Sequence, residues 1–341
     1  MSELFRHFAP KCPMCRARGA VAPLLLTAWD NSNQGILACE ADGCGGRFPI
    51  IDGLPVLAPD LPRYLAEVGV YLLARDDLWT PVADLVGSVT PPGAWFDAAR
   101  QHLSGYVRDH WGAFDPTDLA SPSPGQAWAL AEAGLRLIGK VSGPIVELGA
   151  AAGGVTRALA ERFEAPVLGI DLSAPVTRFA TRALRGGTLR YPLRVSGTAY
   201  AERELVIPSP TRGEPVVWLA DALVPPLEDA CAGLVVALNL LDCVTDPAAL
   251  MRAASGLLRP GGYLLLCTPR DWSTSATPVE AWVAARSADA ASAALGVWAE
   301  QVSGLKLIGH TEDLEWQVRV HARATMYYRS DLLVLEKPPS V

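Results

Sequence analysis

From Pro144 onward the chain alternates short apolar runs rich in β-branched residues with stretches of helical periodicity, a rhythm that restricts it to a mostly parallel sheet joined by crossover helices. Strands are expected over Ile145–Leu148, Val167–Ile170, Val216–Leu219, Leu234–Leu238 and Tyr263–Cys267, with a last pair near Leu305–Ile308 and Leu332–Leu335. Ligands of such sheets sit beyond the carboxyl ends of the strands, so chemistry is expected in the segments that follow each strand. The stretch Gly186–Pro215 instead follows a helix and precedes a strand. It is therefore expected at the opposite edge, in a structural or partner role.

The first strand runs into Glu147-Leu-Gly-Ala-Ala-Ala-Gly-Gly, an acidic-x-Gly-x-Gly-x-Gly loop with Ala151 at the middle glycine. Small residues there let backbone approach a ligand closely, although such turns also bind dinucleotides or merely turn. The downstream strand ends narrow the choice. Asp171 closes the second strand, where a ribose diol needs an acceptor for two hydroxyl protons, and Asp221 closes the third, where an adenine amine seeks one. The fourth ends in Ala237-Leu-Asn-Leu-Leu-Asp, and Leu258-Arg-Pro-Gly-Gly-Tyr introduces the fifth.

This ordered series resembles the motifs of class I S-adenosylmethionine (SAM)-dependent methyltransferases over about Pro144–Asp271. The resemblance implies a Rossmann-like α/β fold with a mostly parallel seven-stranded sheet. It also implies a SAM site made by Glu147, Gly149, Ala150, Gly153, Asp171, Leu172, Asp221, Ala222 and Asn239. A nicotinamide cofactor fits less well, because the middle glycine is alanine and no dehydrogenase pattern follows. Tyr106 and His110 lie upstream, in a segment that reads as an amphipathic linker helix or as a lid folded back over the cofactor.

Cys12-Pro-Met-Cys15 and Cys39-Glu-Ala-Asp-Gly-Cys44 are two cysteine pairs separated by a segment able to form a hairpin. Two such knuckles place four thiolates around one tetrahedral Zn2+ with no open coordination position, so the ion would be structural. Together with Phe48-Pro-Ile-Ile-Asp-Gly-Leu-Pro-Val-Leu, the region resembles the small zinc-ribbon proteins that activate tRNA, rRNA and protein methyltransferases. The expected organisation is a ribbon over residues 1–60, a helical linker or lid over 61–133, and a methyltransferase domain over 134–341 with an insertion at 186–215. Leu61, Tyr64, Leu65, Val68 and Leu72 carry the helical spacing of the linker, which the breakers Pro91-Pro-Gly interrupt. Cys231, Cys243 and Cys267 lie in or beside expected strands and are read as core residues.

Asn239-Leu-Leu-Asp, Cys267-Thr-Pro-Arg-Asp-Trp, Thr277-Pro-Val-Glu-Ala-Trp and the late run Trp316-Gln-Val-Arg-Val-His-Ala-Arg resemble a narrower group. That group comprises the methyltransferase domain of ovothiol synthases and the related protein-histidine methyltransferases, which implies a histidine-like acceptor. Ala150 and Cys243 depart from its pattern. An imidazole is largely neutral at pH 7, so the enzyme need only bind one ring N–H and leave the other nitrogen's lone pair facing the methyl group. Asn239 and Asp242 are the candidates for that catalytic orientation, with a turn residue and a helix cap as the plainer alternatives. Trp272, Arg319, His321, Arg323 and Tyr327 are the candidates for closing over substrate or binding its carboxylate.

With 341 residues, half of them hydrophobic, the chain can bury a large core. A net charge of −7 argues against a protein that coats nucleic-acid phosphates. The opening residues lack a signal-peptide pattern and no apolar stretch is long enough for a bilayer span, so a cytoplasmic protein without membrane partners is expected. The favoured function is N-methylation of a small imidazole- or amine-bearing molecule, such as a natural-product intermediate. A protein or peptide histidine and RNA are the alternatives, and a non-catalytic methyltransferase-fold binding module is the alternative of another class. A homodimer is compatible with the sequence. Asp171→Ala is expected to weaken cofactor binding with folding intact, and Cys12→Ser to loosen the ribbon with cofactor affinity largely unchanged.

Overall fold

The computed structural model describes residues 8–29, 35–51, 53–61, 63–64, 95–118, 120–283 and 291–339. Leu65, Val68, Leu72 and Pro91–Gly93 of the expected linker lie outside them. The strands are β1 (Leu24–Trp29), β2 (Gly35–Cys39), β3 (Arg47–Ile51), β4 (Leu54–Leu57), β5 (Ile145–Leu148), β6 (Pro166–Asp171), β7 (Gly187–Ser196), β8 (Ala199–Ile207), β9 (Glu214–Ala220), β10 (Ala232–Leu238), β11 (Leu258–Thr268), β12 (Lys306–His321) and β13 (Ala324–Glu336).

Seven of them form the expected α/β core in the order β9-β6-β5-β10-β11-β13-β12. β5, β6, β9, β10 and β11 pair in parallel, and β13 runs antiparallel between β11 and β12. β5 and nearly all of β10 are buried, as strands covered on both faces must be. Alternate residues separate into two cores. Ile145, Val167, Leu234 and Val236 meet the helices Gln126–Leu135 and Gly154–Phe163, whereas Val146, Leu168, Val235 and Ala237 share a core with the helices Pro247–Leu257 and Ala291–Ser303.

The cysteine-bearing strands join this sheet. β1 to β4 form an antiparallel run, and β4 then pairs in parallel with β9 through Val56↔Leu219 and Leu57↔Ala220, giving eleven strands in all. Phe8 meets Trp218 edge-on, the backbone N–H of Lys11 donates to the Pro226 carbonyl, and Lys11 and Arg16 pair with Glu228 and Asp229. The ribbon thus packs against β9 and the segment that follows it.

The last hairpin is much longer than its apolar runs suggested. Thr268, at the carboxyl end of β11, pairs with Asp331, so residues 314–330 of β12 and β13 project past the end of the parallel strands. The insertion also departs from expectation. β7 and β8 form a separate two-stranded sheet whose tip crosses to the ligand side. Arg194 N–H donates to Ser104 Oγ at 2.8 Å, and Ala322 N–H donates to the Arg194 carbonyl at 3.2 Å. A strand of ten residues spans about 33 Å, enough to traverse the depth of a sheet.

Candidate active site

The glycine loop departs from β5 and returns as the helix Gly154–Phe163. Gly153 has φ +80°, and a Cβ there would lie 2.9 Å from that of Ala180, so close packing and conformation both call for glycine. Ala151 occupies the middle position at φ +44°, a left-handed conformation that costs an L-residue about 1 kcal/mol or more. Asp171 holds it there. One carboxylate oxygen accepts from Ala151 N–H at 2.9 Å and the other from Ser173 N–H at 2.7 Å. Each oxygen keeps a second lone pair for a ligand hydroxyl.

A cavity of about 360 Å3 opens over this loop. Glu147, Gly149, Asp171, Leu172, Asp221, Ala222 and Asn239 line it, together with Tyr106. Seven cofactor candidates from four strand ends and one from the upstream helix therefore converge. Ala150 and Gly153 do not reach the wall. The Ala150 methyl is fully buried and its N–H donates to the Ile170 carbonyl, while Gly153 N–H donates to the Ala150 carbonyl. These two shape the loop from beneath.

The acids are strongly perturbed. Burial, opposed by a hydrogen bond from Thr156 and assisted by the charge of Asp171, pushes Glu147 from 4.5 up to about 8. Burial also raises Asp171 and Asp221. For Glu147 the folded chain keeps a proton that the unfolded chain releases, so cofactor-free stability falls as pH rises from about 4.5 through about 8. A ligand ammonium beside Glu147 favours the ionised form. The melting-temperature increase produced by S-adenosylhomocysteine is therefore expected to be larger near pH 8 than near pH 6. An increase independent of pH would refute ionisation of Glu147 in the complex.

Of the two catalytic candidates, the structure brings one to the cavity. Asn239 takes φ +51°, a conformation asparagine tolerates, and its N–H donates to the Cys267 carbonyl. Its Oδ1 is buried with no hydrogen-bond partner. Asp242 is not on the wall. Its carboxylate accepts from Asp271 N–H at 2.6 Å and Thr268 Oγ1 at 3.2 Å, so it positions the loop after β11. Thr277 Oγ1 donates to the Val244 carbonyl at 2.6 Å and Trp282 Nε1 to the Thr277 carbonyl at 2.9 Å, which makes the Thr-Pro-x-x-x-Trp element a latch for the same loop.

None of the five substrate candidates lines the cavity. Trp272 packs at the edge of a core, Arg319 pairs with Asp118 at 3.3 Å, and His321 Nδ1 accepts from Arg323 N–H at the hairpin turn. Arg323 and Tyr327 are exposed. The cause is strand alternation: Trp316 faces the cavity and stacks on Tyr328 with centroids 4.9 Å apart, whereas Tyr327 and Arg319 occupy the odd-numbered positions. Cys243, expected in the core, lies on the cavity wall instead, where desolvation in the concave site, followed by the charges of Asp242, Asp271 and Asp171, pushes its thiol up to about 12. Cys267 is buried as expected and Cys231 is partly buried.

Several wall residues carry no local sequence signal. The helix Trp95–His102 continues through a π turn at Leu103–Val107 into Arg108–Trp111 and lies over the glycine loop. Asp109 caps the helix Gln126–Leu135 through Gln126 and Ala127 N–H. His110 Nδ1 accepts from Gly154 N–H at 2.9 Å, and Trp111 Nε1 donates to the Ala152 carbonyl at 2.7 Å. The segment is thus tied to the glycine loop and the helix that follows it by two hydrogen bonds. His102 and His110 line the cavity, and burial lowers both toward the neutral form.

In the ribbon, the four cysteine sulfurs lie within 4.8 Å of one another, with Cys12–Cys44 and Cys15–Cys39 at 3.7 Å and Cys15–Cys44 at 3.5 Å. Tetrahedral thiolates at a Zn–S distance near 2.3 Å stand about 3.8 Å apart, so the cluster can hold a zinc ion.

The strand order, the reversed seventh strand and the acids at three successive strand ends define a class I methyltransferase fold. Residues 146–266 match the methyltransferase domain family. No curated protein matches the chain. Among solved structures it is similar to a SAM-dependent methyltransferase from Methanosarcina mazei (16% identity, 60% of this chain and 97% of that one, TM-score 0.42). It is also similar to the Haloferax volcanii complex of the Trm112 methyltransferase activator with a methyltransferase (15%, 63% and 91%, 0.41). A third is a Haemonchus contortus phosphoethanolamine N-methyltransferase with S-adenosylhomocysteine (13%, 63% and 53%, 0.40).

Proposed function

We propose that the protein is a SAM-dependent N-methyltransferase for a small imidazole- or amine-bearing molecule, with a structural zinc ion in the ribbon. The observation that carries the acceptor class is the buried, unpartnered Oδ1 of Asn239 on the cavity wall. A buried carbonyl oxygen without a donor costs about 1–3 kcal/mol, a deficit that a ligand N–H removes.

SAM supplies a methyl group activated by its positive sulfur. Asp171 would hold the ribose hydroxyls, Asp221 the adenine amine, and Glu147 the amino-acid end. Asn239 accepts one N–H of the acceptor, which leaves the other nitrogen's electron pair free to be aligned with the methyl group. For an imidazole, already largely neutral at pH 7, no strong base is required before the transfer, whereas an amine must first lose its proton to solvent. Cys12, Cys15, Cys39 and Cys44 hold the zinc ion. No helix among the described residues is long and apolar enough to cross a membrane.

The test is a screen of histidine derivatives, histidine peptides and RNA for S-adenosylhomocysteine release. Turnover with a small imidazole or amine is expected, and turnover with RNA alone would replace this reading. Calorimetry with SAM shows directly whether the fold is instead a binding module without cofactor affinity. Asn239→Gly removes the amide without backbone strain. It is expected to lower turnover about a hundredfold, the scale of a misaligned acceptor, with the melting temperature unchanged.

A further inference from the structure

We propose that Tyr64, which leads the chain out of the ribbon, is a positioning residue of the cofactor site: its hydroxyl fixes the Leu172 peptide and thereby the ribose-binding carboxylate of Asp171. This rests on the methyltransferase reading and adds to it a residue from outside the parallel sheet.

The loop after β6 has to hold Asp171 open to a ligand. Its two ends are anchored within the fold, since the Asp171 carboxylate accepts from Ala151 and Ser173 N–H, and the Ser173 carbonyl accepts from Thr177 N–H at 3.0 Å and Thr177 Oγ1 at 2.8 Å. Between these ends the Leu172 side chain is 41% exposed and lines the cavity. The Tyr64 hydroxyl donates to the Leu172 carbonyl at 2.7 Å, across 108 residues of sequence, and no other donor among the described residues reaches that carbonyl. The middle of the loop is therefore held from the segment that follows the ribbon.

Local sequence and packing bring Tyr64 to this place. Asp60 caps the turn that carries it: the Asp60 carboxylate accepts from Arg63 N–H at 3.1 Å and its carbonyl from Tyr64 N–H at 2.9 Å. Leu61 and Tyr64 pack against Leu54 and Val56 of β4, Leu219 of β9 and Ala174, the first residue of the helix after Asp171. β4 is itself in register with β9, so Tyr64 approaches the loop from a paired edge of the sheet. The ring supplies the packing and the hydroxyl is not needed for it. Its bond selects one orientation of the Leu172 peptide, and rotation of that peptide carries the Leu172 side chain and the neighbouring carboxylate off their alignment with a ligand.

The experiment titrates the wild type and Tyr64→Phe with S-adenosylhomocysteine and with its 2′-deoxy analogue by calorimetry, alongside melting curves of the ligand-free proteins. Tyr64→Phe is expected to weaken S-adenosylhomocysteine binding about threefold to tenfold, the worth of one neutral hydrogen bond, with the ligand-free melting temperature within about 2 °C of the wild type. The analogue lacks one of the hydroxyls assigned to Asp171, so the same substitution is expected to cost it less than about twofold, because the two changes act on one contact. Unaltered affinity in Tyr64→Phe, a loss as large for the analogue as for S-adenosylhomocysteine, or a loss accompanied by a larger fall in the ligand-free melting temperature overturns the proposal. A wild-type protein that does not bind S-adenosylhomocysteine sinks instead the methyltransferase reading beneath it.

Discussion

Asp171→Ala is expected to lower S-adenosylhomocysteine affinity by about two to four orders of magnitude, because two hydrogen bonds to a carboxylate at about 1.5–3 kcal/mol each are lost. The same change reaches beyond the ligand. Ala151 and Ser173 N–H lose their acceptor, and Ala151 loses the contact that holds it at φ +44°. A lower melting temperature is therefore expected as well, in contrast to the intact folding anticipated from sequence. Calorimetry and melting curves check both parts. Wild-type affinity in the variant would show that the ribose end binds elsewhere.

Cys12→Ser is the second large effect. Cys12 is fully buried in the core that also contains Trp218, Ala220 and Ala222, the residues bracketing Asp221. Structural zinc contributes of the order of 10 kcal/mol to small zinc domains, and loss of about 3 kcal/mol here lowers the melting temperature by about 5–10 °C. Reading the cysteines in isolation suggests an unchanged cofactor site. The register of β4 on β9 ends at Ala220, directly before Asp221, so affinity is expected to fall about tenfold when the ribbon loosens. Zinc release by a chelator should reproduce both effects. Retention of full S-adenosylhomocysteine affinity with the metal removed would show that the edge of the sheet stands without the ribbon.

Much of the site was legible because its residues are local to strand ends. A parallel strand buried on both faces leaves a continuous apolar run, and the first polar residue after it marks the carboxyl end. Asp171, Asp221 and Asn239 mark strand ends in this way, Glu147 stands one residue before the end of β5, and the four meet in one cavity. Asp242 stands three residues beyond Asn239 in the same turn and is turned away, since only packing decides which of two polar residues in a short turn faces the ligand. The hairpin residues failed for a sharper reason. In an extended strand a one-residue error reverses the face, and no apolar pattern distinguishes Trp316 from Arg319 until the partner strand is in place.

Strand periodicity, acids at strand ends and paired cysteines were enough to specify the parallel sheet, the cofactor-type crevice and the four-sulfur cluster, because each depends on neighbours a few residues apart. The placement of Tyr106 and His110 over the glycine loop and the fusion of the ribbon to β9 were settled only by folding. They join segments separated by tens to hundreds of residues, and such pairings arise from which surfaces remain to be buried once the sheet has formed.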